Sequence, residues 1–326
     1  MNWALIGVGN IAELFMQSLT WVEEVNVVAA YGRNEERLHR FCDRWGIQNR
    51  YTDYTALYEQ NDIEVVYLAT PHIVHYRHAV SALEHGKHVL CEKPMAMSRE
   101  ETRMLSEAAR QNDVFLMEAM WTRFFPANIW LQKFVESGRF GRPLNVNAEF
   151  SFAYPYDPDY RFFRKDLGGG CMRSAGIYPL AYASMIFGCV PCRISAFGEM
   201  RNGVDVRTTA ILQFPGEHGR TAQLYTGFQG QSQCMANIAF EKGNVLIPDF
   251  IHPSRVIVTD LDGHREEMLF PYEGPGLHYE IRHAMECIRA GHKESEIMPL
   301  EESIEIAGIT DLIYQELEKA KGNEVN

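Results

Sequence analysis

Gly7-Val8-Gly9-Asn10-Ile11-Ala12 carries the spacing G-x-G-x-x-A. Glycines so placed let a backbone turn approach a pyrophosphate at a helix N-terminus, where unpaired N–H groups and the helix dipole favour an anion. The run follows an apolar stretch, Trp3 to Ile6, and opens a helical pattern, which is the context this motif needs. A dinucleotide is therefore expected on Gly7, Gly9, Asn10, Ile11 and Ala12. A second apolar run ends at Tyr31-Gly32-Arg33-Asn34, where a protein selective for NAD would place Asp or Glu on the ribose 2′-hydroxyl. Without that carboxylate, a 2′-phosphate can sit on the Gly32 and Arg33 amides beside the Arg33 guanidinium, with Arg37 one turn on. The pattern favours NADP over NAD. The competing readings are a bare βα turn and two solvated arginines at a helix start.

Leu167 to Tyr182 reads LGGGCMRSAGIYPLAY. Ser174 and Tyr178 are four apart, so on a helix they share a face and can address one cavity. Glycine weakens helices, and Gly168 to Gly170 are expected to let the chain pass close beneath a ligand at the helix start. The alternatives are a serine bonded back to its own turn and a tyrosine packed in an apolar core.

These residues need a scaffold. From Met1 to about Trp121, β-branched runs (Trp3 to Ile6, Val25 to Ala30, Val65 to Ala69, His88 to Cys91, Val114 to Met117) alternate with amphipathic ones (Glu35 to Trp45, His75 to His85, Arg99 to Asn112). That alternation predicts an α/β domain, a doubly wound parallel sheet. After about residue 140 the apolar period becomes two, as in Leu144 to Phe150, Arg207 to Phe214 and Thr221 to Phe228. Such strands predict an antiparallel sheet with one wet face. Helices over 169–187 and Leu277 to Ala290 are expected to cover its other face, with a last helix from Leu300 to Lys319. The boundary is expected as a short connection, giving domains of 1–121 and 122–326.

The chain has 326 residues, 46% of them hydrophobic, enough for two cores. A net charge of −12 with mixed signs argues against nucleic acid or an anionic membrane as partner and for a small molecule. No apolar run reaches the ~18 residues of a membrane span. Seven scattered cysteines and no secretory pattern at the start fit a reduced cytoplasm.

Thr70-Pro71-His72 and Cys91-Glu92-Lys93-Pro94 fall at the ends of two of the predicted parallel strands, on the carboxyl edge where such sheets hold ligands. Thr70, Pro71, Glu92 and Lys93 are expected to face the cofactor, with His72 and His75 supporting it. Taken with the glycine turn, the stretch G-K-H-V-x-x-E-K-P (86–94), the run from Met117 to Phe124 and G-G-G-x-x-x-x-x-G-I-Y (168–178), the chain resembles the glucose–fructose oxidoreductase and inositol dehydrogenase family over nearly its whole length. The Trp-Thr-Arg-Phe-Phe-Pro run and Tyr178, where other branches carry His, look most like the branch of dimeric dihydrodiol dehydrogenases and NADP-dependent xylose dehydrogenases.

The resemblance implies an N-terminal Rossmann domain and a C-terminal α+β domain with an open, mostly antiparallel sheet that joins chains into a homodimer or homotetramer. It implies hydride transfer between nicotinamide and a CH–OH group of a sugar, sugar acid, polyol or dihydrodiol. It also implies Lys93 as the catalytic lysine and Tyr178 as the residue that transfers the proton. Two positions depart from the pattern: Ser174 stands where the family has Asp, and His72 where it has Asn.

Oxidising an alcohol by hydride transfer requires its hydroxyl proton to leave, so a group of suitable proton affinity must face the reacting carbon. A free phenol, with a pKa of about 10, is a poor base. An ammonium ~4 Å away would favour the tyrosinate by up to ~4 kcal/mol at an effective dielectric of about 20, so Lys93 can activate Tyr178. Ser174 does not oppose that charge as Asp would. With Arg123 and Arg161, a positive site suited to an acidic or phosphorylated sugar is expected.

Trp121, Arg123 and Phe124 follow the sixth strand and are expected to line a cleft, though Trp121 equally suits a core. Phe162 and the tyrosines before it offer flat faces to a sugar ring. No metal is expected: Cys189-Val190-Pro191-Cys192 lacks a second pair, and His72, His75, His78, His85 and His88 lack further ligands. His78, His85 and His88 are expected in solvent. The rival to an enzyme is a sensor that binds NADP(H) without turnover.

Overall fold

The computed structural model describes residues 1–216 and 219–323. By packing, the chain forms two compact units, one of Met1–Trp121 with Glu273–Ile304 and one of Thr122–Tyr272 with the chain from Glu305 on. A single division at 121/122 leaves 273–304 with the second domain, whereas this segment packs with the first.

The first unit holds β1 (Asn2–Ile6), α1 (Asn10–Ser18), β2 (Asn26–Tyr31), α2 (Glu35–Trp45), β3 (Asn49–Tyr51), α3 (Tyr54–Tyr58), β4 (Val65–Leu68), α4 (His75–Glu84), β5 (His88–Glu92), α5 (Arg99–Gln111) and β6 (Leu116–Ala119). Its six strands run in the order β3-β2-β1-β4-β5-β6, every pair parallel, which is the doubly wound order expected. All four residues of β4 are buried, as a strand covered on both faces requires. The helices start and stop where the sequence marks them. Asn34 accepts from the Arg37 N–H and Ser98 from the Glu101 N–H as N-caps, and Gly46 at φ +71° ends α2.

Side chains alternate across this sheet. Val66, Leu68, Val89 and Cys91 face a core shared with Ala79, Leu83 and Leu105 of the helices. On the opposite face Tyr67 stacks on Phe15 of α1, ring centroids 4.1 Å apart. Beside α1 packs α8 (Leu277–Arg289), whose buried stripe is Leu277, Ile281, Ala284 and Met285. The expected role for this helix, covering the antiparallel sheet, is therefore incorrect. Apolar spacing makes a helix amphipathic without specifying which sheet it meets.

The second unit holds α6 (Pro126–Glu136), β7 (Pro143–Ser151), α7 (Ile177–Phe187) and the strands β8 (Arg193–Arg201), β9 (Val204–Gln213), β10 (Thr221–Gly227), β11 (Ala236–Phe240), β12 (Gly243–Ile247), β13 (Arg255–Asp260) and β14 (Arg265–Leu269). They form one sheet in the order β14-β13-β12-β11-β7-β10-β9-β8. Only β7 and β10 pair in parallel; the other neighbours are antiparallel. From Thr208 to Gln213, β9 alternates buried and exposed residues, so this sheet has a packed face and an open one. The packed face meets α7, which is apolar and buried all round. A last helix, α9 (Leu300–Asn323), closes the chain.

Candidate active site

The glycine turn joins β1 to α1 at the carboxyl edge of the parallel sheet. Gly7 stands at φ +102°, and a Cβ there would lie 2.7 Å from the Ala69 carbonyl oxygen, so no larger residue fits between β1 and the end of β4. Its N–H bonds the Tyr31 carbonyl at 2.9 Å. Gly9 is the N-cap of α1 and supplies no side chain to that helix's first N–H groups. A Cβ at Gly9 would stand 3.9 Å from the Arg37 guanidinium, so this arginine reaches over the turn. Asn10 is exposed, Ile11 half-buried and Ala12 buried. Gly32 donates to the Tyr51 carbonyl at 3.1 Å, and Arg33 beyond it is exposed. At the end of β4 the Thr70 hydroxyl is buried with no hydrogen-bond partner. A tight glycine cradle, an uncapped helix start, arginines and an orphaned hydroxyl on one edge fit a dinucleotide.

The Glu92-Lys93-Pro94 corner ends β5 on the same edge, with Lys93–Pro94 in the cis form. His75 is fully buried and ties it to the neighbouring loop: Nδ1 lies 2.8 Å from the Pro94 carbonyl and Nε2 2.8 Å from the Thr70 carbonyl. Burial lowers the His75 pKa, the two carbonyls oppose that, and the Lys93 charge adds to it. His75 thus holds the two loops in place, and the buried His72 packs beside it, ring centroids 5.8 Å apart. His78 is buried against Tyr54 and Tyr31, correcting the expectation of solvent, and burial takes its pKa to about 4. His88 is half-buried and its Nδ1 accepts from the Phe115 N–H at 2.9 Å.

Three buried acids surround the corner. Tyr67 donates to the Glu92 carboxylate on the α1 face. Glu118 of β6 pairs across from Cys91, which puts it on the opposite face, and its Oε1 accepts from the Met95 N–H at 2.9 Å. Burial pushes the Glu118 carboxyl up; the nearby Ser303 hydroxyl, the Met95 N–H and the Lys93 charge pull it back. Glu280 of α8 is fully buried with neither carboxyl oxygen hydrogen-bonded. Burial, then the Glu92 charge, hold it well above the usual carboxylate range. Glu118 and Glu280 are singled out by no motif, yet both leave a signal in the sequence. Glu118 interrupts a wholly buried strand, and Glu280 sits in phase with Leu277, Ile281 and Ala284 on the apolar stripe of α8.

In the second unit the triple glycine leads into the segment bearing the two hydroxyls. Gly168 is left-handed at φ +74°. A Cβ at Gly169 would meet the carbonyl oxygens of Phe162 at 2.7 Å and of Arg161 and Arg164 at 2.8 Å. At Gly170, φ +117°, it would meet the Tyr314 hydroxyl at 2.7 Å and the Asp205 carboxylate. The space beside Gly169 and Gly170 is filled by protein, so close packing of the chain on itself, and not room for a ligand, requires glycine there. The buried Asp205 accepts from the Met172 N–H at 2.8 Å, the Thr208 hydroxyl at 2.8 Å, the Cys171 thiol at 2.9 Å and the Tyr314 hydroxyl at 2.7 Å.

Met172–Gly176 form a π-helical turn before α7 begins. Pro179 explains it: its ring has no N–H for the Ala175 carbonyl and crowds that group, so the turn opens. Ser174 lies in the π turn and Tyr178 in α7, and four-residue spacing no longer stacks their side chains as in a regular α-helix. Tyr178 is 8% exposed and meets Phe150 edge-on at 5.8 Å; Ser174 is half-buried. Arg123 is buried and donates from Nη2 to the Ala181 carbonyl at 2.6 Å, anchoring α7. Arg161 is exposed over the Phe162 ring at 4.9 Å, and Phe162 stacks on Phe228 in a buried aromatic cluster. Trp121 and Phe124 are buried. All seven cysteines are free thiols.

Comparison with known proteins gives consistent matches. A family profile described as the Gfo/Idh/MocA oxidoreductase family, NAD-binding Rossmann fold, matches residues 1–120, and one for the Gfo/Idh/MocA C-terminal domain matches 129–246. The trans-1,2-dihydrobenzene-1,2-diol dehydrogenase of Xenopus laevis is 34% identical over 97% of this chain and 98% of its own. The human protein of that name is 34% identical over 99% and 97%. The crystal structure of an aldose–aldose oxidoreductase from Caulobacter crescentus, 23% identical, superposes with a TM-score of 0.88 over 98% of both chains, a likeness of fold. Among the described residues, no helix is long and apolar enough to cross a membrane.

Proposed function

The chain belongs to the Gfo/Idh/MocA family of oxidoreductases, and from that premise we propose that it transfers a hydride between NADP and a CH–OH group of a sugar, sugar acid, polyol or trans-dihydrodiol. One observation carries the reading: the glycine turn, the Thr70 loop and the Lys93 corner end adjacent strands, β1, β4 and β5, at one edge of one parallel sheet. The nicotinamide, when bound, supplies the hydride acceptor or donor. Gly7, Gly9 and the first N–H groups of α1 hold the pyrophosphate. Gly32 and Arg33 hold the adenosine ribose and its 2′-phosphate, and Thr70 offers its unpartnered hydroxyl. His75 fixes the two loops that frame the site.

The proton is handled by Tyr178. Its Oη takes the substrate hydroxyl proton in oxidation and returns it in reduction, and Lys93 Nζ lowers its proton affinity. The buried carboxyls of Glu92 and Glu118 keep the corner bearing Lys93 in register, one from each face of the sheet.

The test is a panel of sugars, sugar acids, polyols and dihydrodiols with NADP(H), run on the unmutated protein and on Tyr178→Phe. The expected outcome is turnover by the former, and in the variant an unchanged NADPH affinity with activity lowered at least ~100-fold. A protein that binds NADPH and turns over nothing on the panel would be the non-catalytic sensor instead.

A further inference from the structure

We propose that Arg77, in the first turn of α4, stands beside Arg33 as a second guanidinium at the adenosine end of the cofactor site and is a determinant of selectivity for the 2′-phosphate. The proposal rests on the NADP reading above. A phosphate monoester carries close to two negative charges at neutral pH and is held best by several charge-assisted hydrogen bonds. Arg37 reaches to Gly9, over the pyrophosphate turn. That leaves Arg33 alone at the end of β2 unless another cation stands beside it.

Arg77 is held there by an aromatic relay. Its Cζ lies 5.5 Å from the centroid of the Tyr54 ring. Tyr54 meets Tyr31 edge-on at 5.7 Å and His78 edge-on at 4.5 Å. Tyr31 is the last residue of β2 and directly precedes Gly32 and Arg33. Its buried phenol is raised by desolvation and feels Arg33 first and Arg77 next as the charges that lower it, so both guanidinium groups share one neighbourhood. His78, behind them, is neutral at pH 7 and adds no charge.

Ion pairing separates these arginines from their neighbours. Arg40, Arg44 and Arg50, on and just after α2, pair with Glu36, Glu13 and Asp43. Among the described residues, Arg33, Arg37 and Arg77 pair with no carboxylate, although the chain carries a net charge of −12. Of the acids close by, Glu35 and Glu36 pair with His39 and Arg40, and Asp53 accepts from the Thr55 N–H at 2.9 Å and its hydroxyl at 2.6 Å as the cap of α3. Arg33 and Arg77, exposed and unpaired beside Tyr31, offer two guanidinium groups to one anion.

Binding of NADPH and NADH to the full-length protein, followed by quenching or enhancement of dihydronicotinamide fluorescence, tests this. Arg77→Ala is expected to raise the Kd for NADPH about tenfold, one lost charge-assisted bond, and to leave the Kd for NADH within about twofold. Arg77→Lys is expected to recover most of the discrimination. An unchanged NADPH affinity in Arg77→Ala, or an equal loss for both dinucleotides, overturns the assignment. If the unmutated protein binds NADH as tightly as NADPH, the NADP reading itself fails and takes Arg77 with it. That failure is seen in the wild-type ratio, the other only in the variant.

Discussion

Ser174 stands where the family pattern places Asp, four positions before Tyr178, the residue proposed to move the proton. A carboxylate there would offset the Lys93 charge and oppose ionisation of Tyr178. Ser174→Asp is therefore expected to shift the kcat/KM pH profile about one unit upward and to lower the ratio of kcat/KM for a sugar acid over its neutral parent by about fivefold or more. An unchanged ratio would remove the idea that the serine biases the site toward acidic substrates. The placement of the glycine turn and of the Glu92-Lys93-Pro94 corner at strand ends on one sheet edge was legible in the sequence because motif and spacing travel together. The surrounding polar network was not. Arg123 looks like a substrate cation from its neighbours, yet its guanidinium is fixed by a carbonyl 58 positions away. The space beside Gly170 is claimed by Asp205 and Tyr314, which no local pattern connects to it.

Elements were read best where period and end signals agree. The β-branched runs and helical patterns of the first unit fall close to where alternation puts them, and Asn34, Ser98 and Gly46 cap the helix ends there. What period alone could not supply was the destination of an element. The stripe of α8 would serve either sheet, and the choice depends on α1 and on contacts distant in sequence, such as the bond from Arg282 to the Trp21 carbonyl 261 positions away. The segment from Gly168 to Tyr178 is a second case, where an apolar run predicts a helix but Pro179 and the crowding at Gly170 force a π turn. Gly170→Ala is expected to cost about 2–4 kcal/mol, since it combines a left-handed backbone with a clash against the Asp205 hub. In a thermal melt that corresponds to a fall of roughly 5–10 °C. A variant melting within a degree of the parent would mean that the hub yields easily.

The whole molecule presents an open face on its eight-stranded sheet. Phe197 of β8 is 63% exposed, and Ile211 of β9, two rungs along, is 45% exposed. Large apolar side chains standing out of a sheet form the kind of surface on which chains associate. We propose that this face joins copies into a homodimer or homotetramer. Phe197→Asp is expected to yield a smaller assembly in size-exclusion chromatography with light scattering, with a fold unchanged by circular dichroism. A variant assembling like the parent, or a parent that is already monomeric, would rule this face out.

The polypeptide passes from one unit to the other after Trp121, Tyr272 and Ile304. A nascent chain therefore emerges from the ribosome with its nucleotide-holding part unfinished. The flank of α1 that α8 covers stays bare until some 150 residues of the other unit have been synthesised. Neither unit can mature well ahead of the other, and a stop codon before residue 273 would strip the first of its covering helix as surely as it truncates the second.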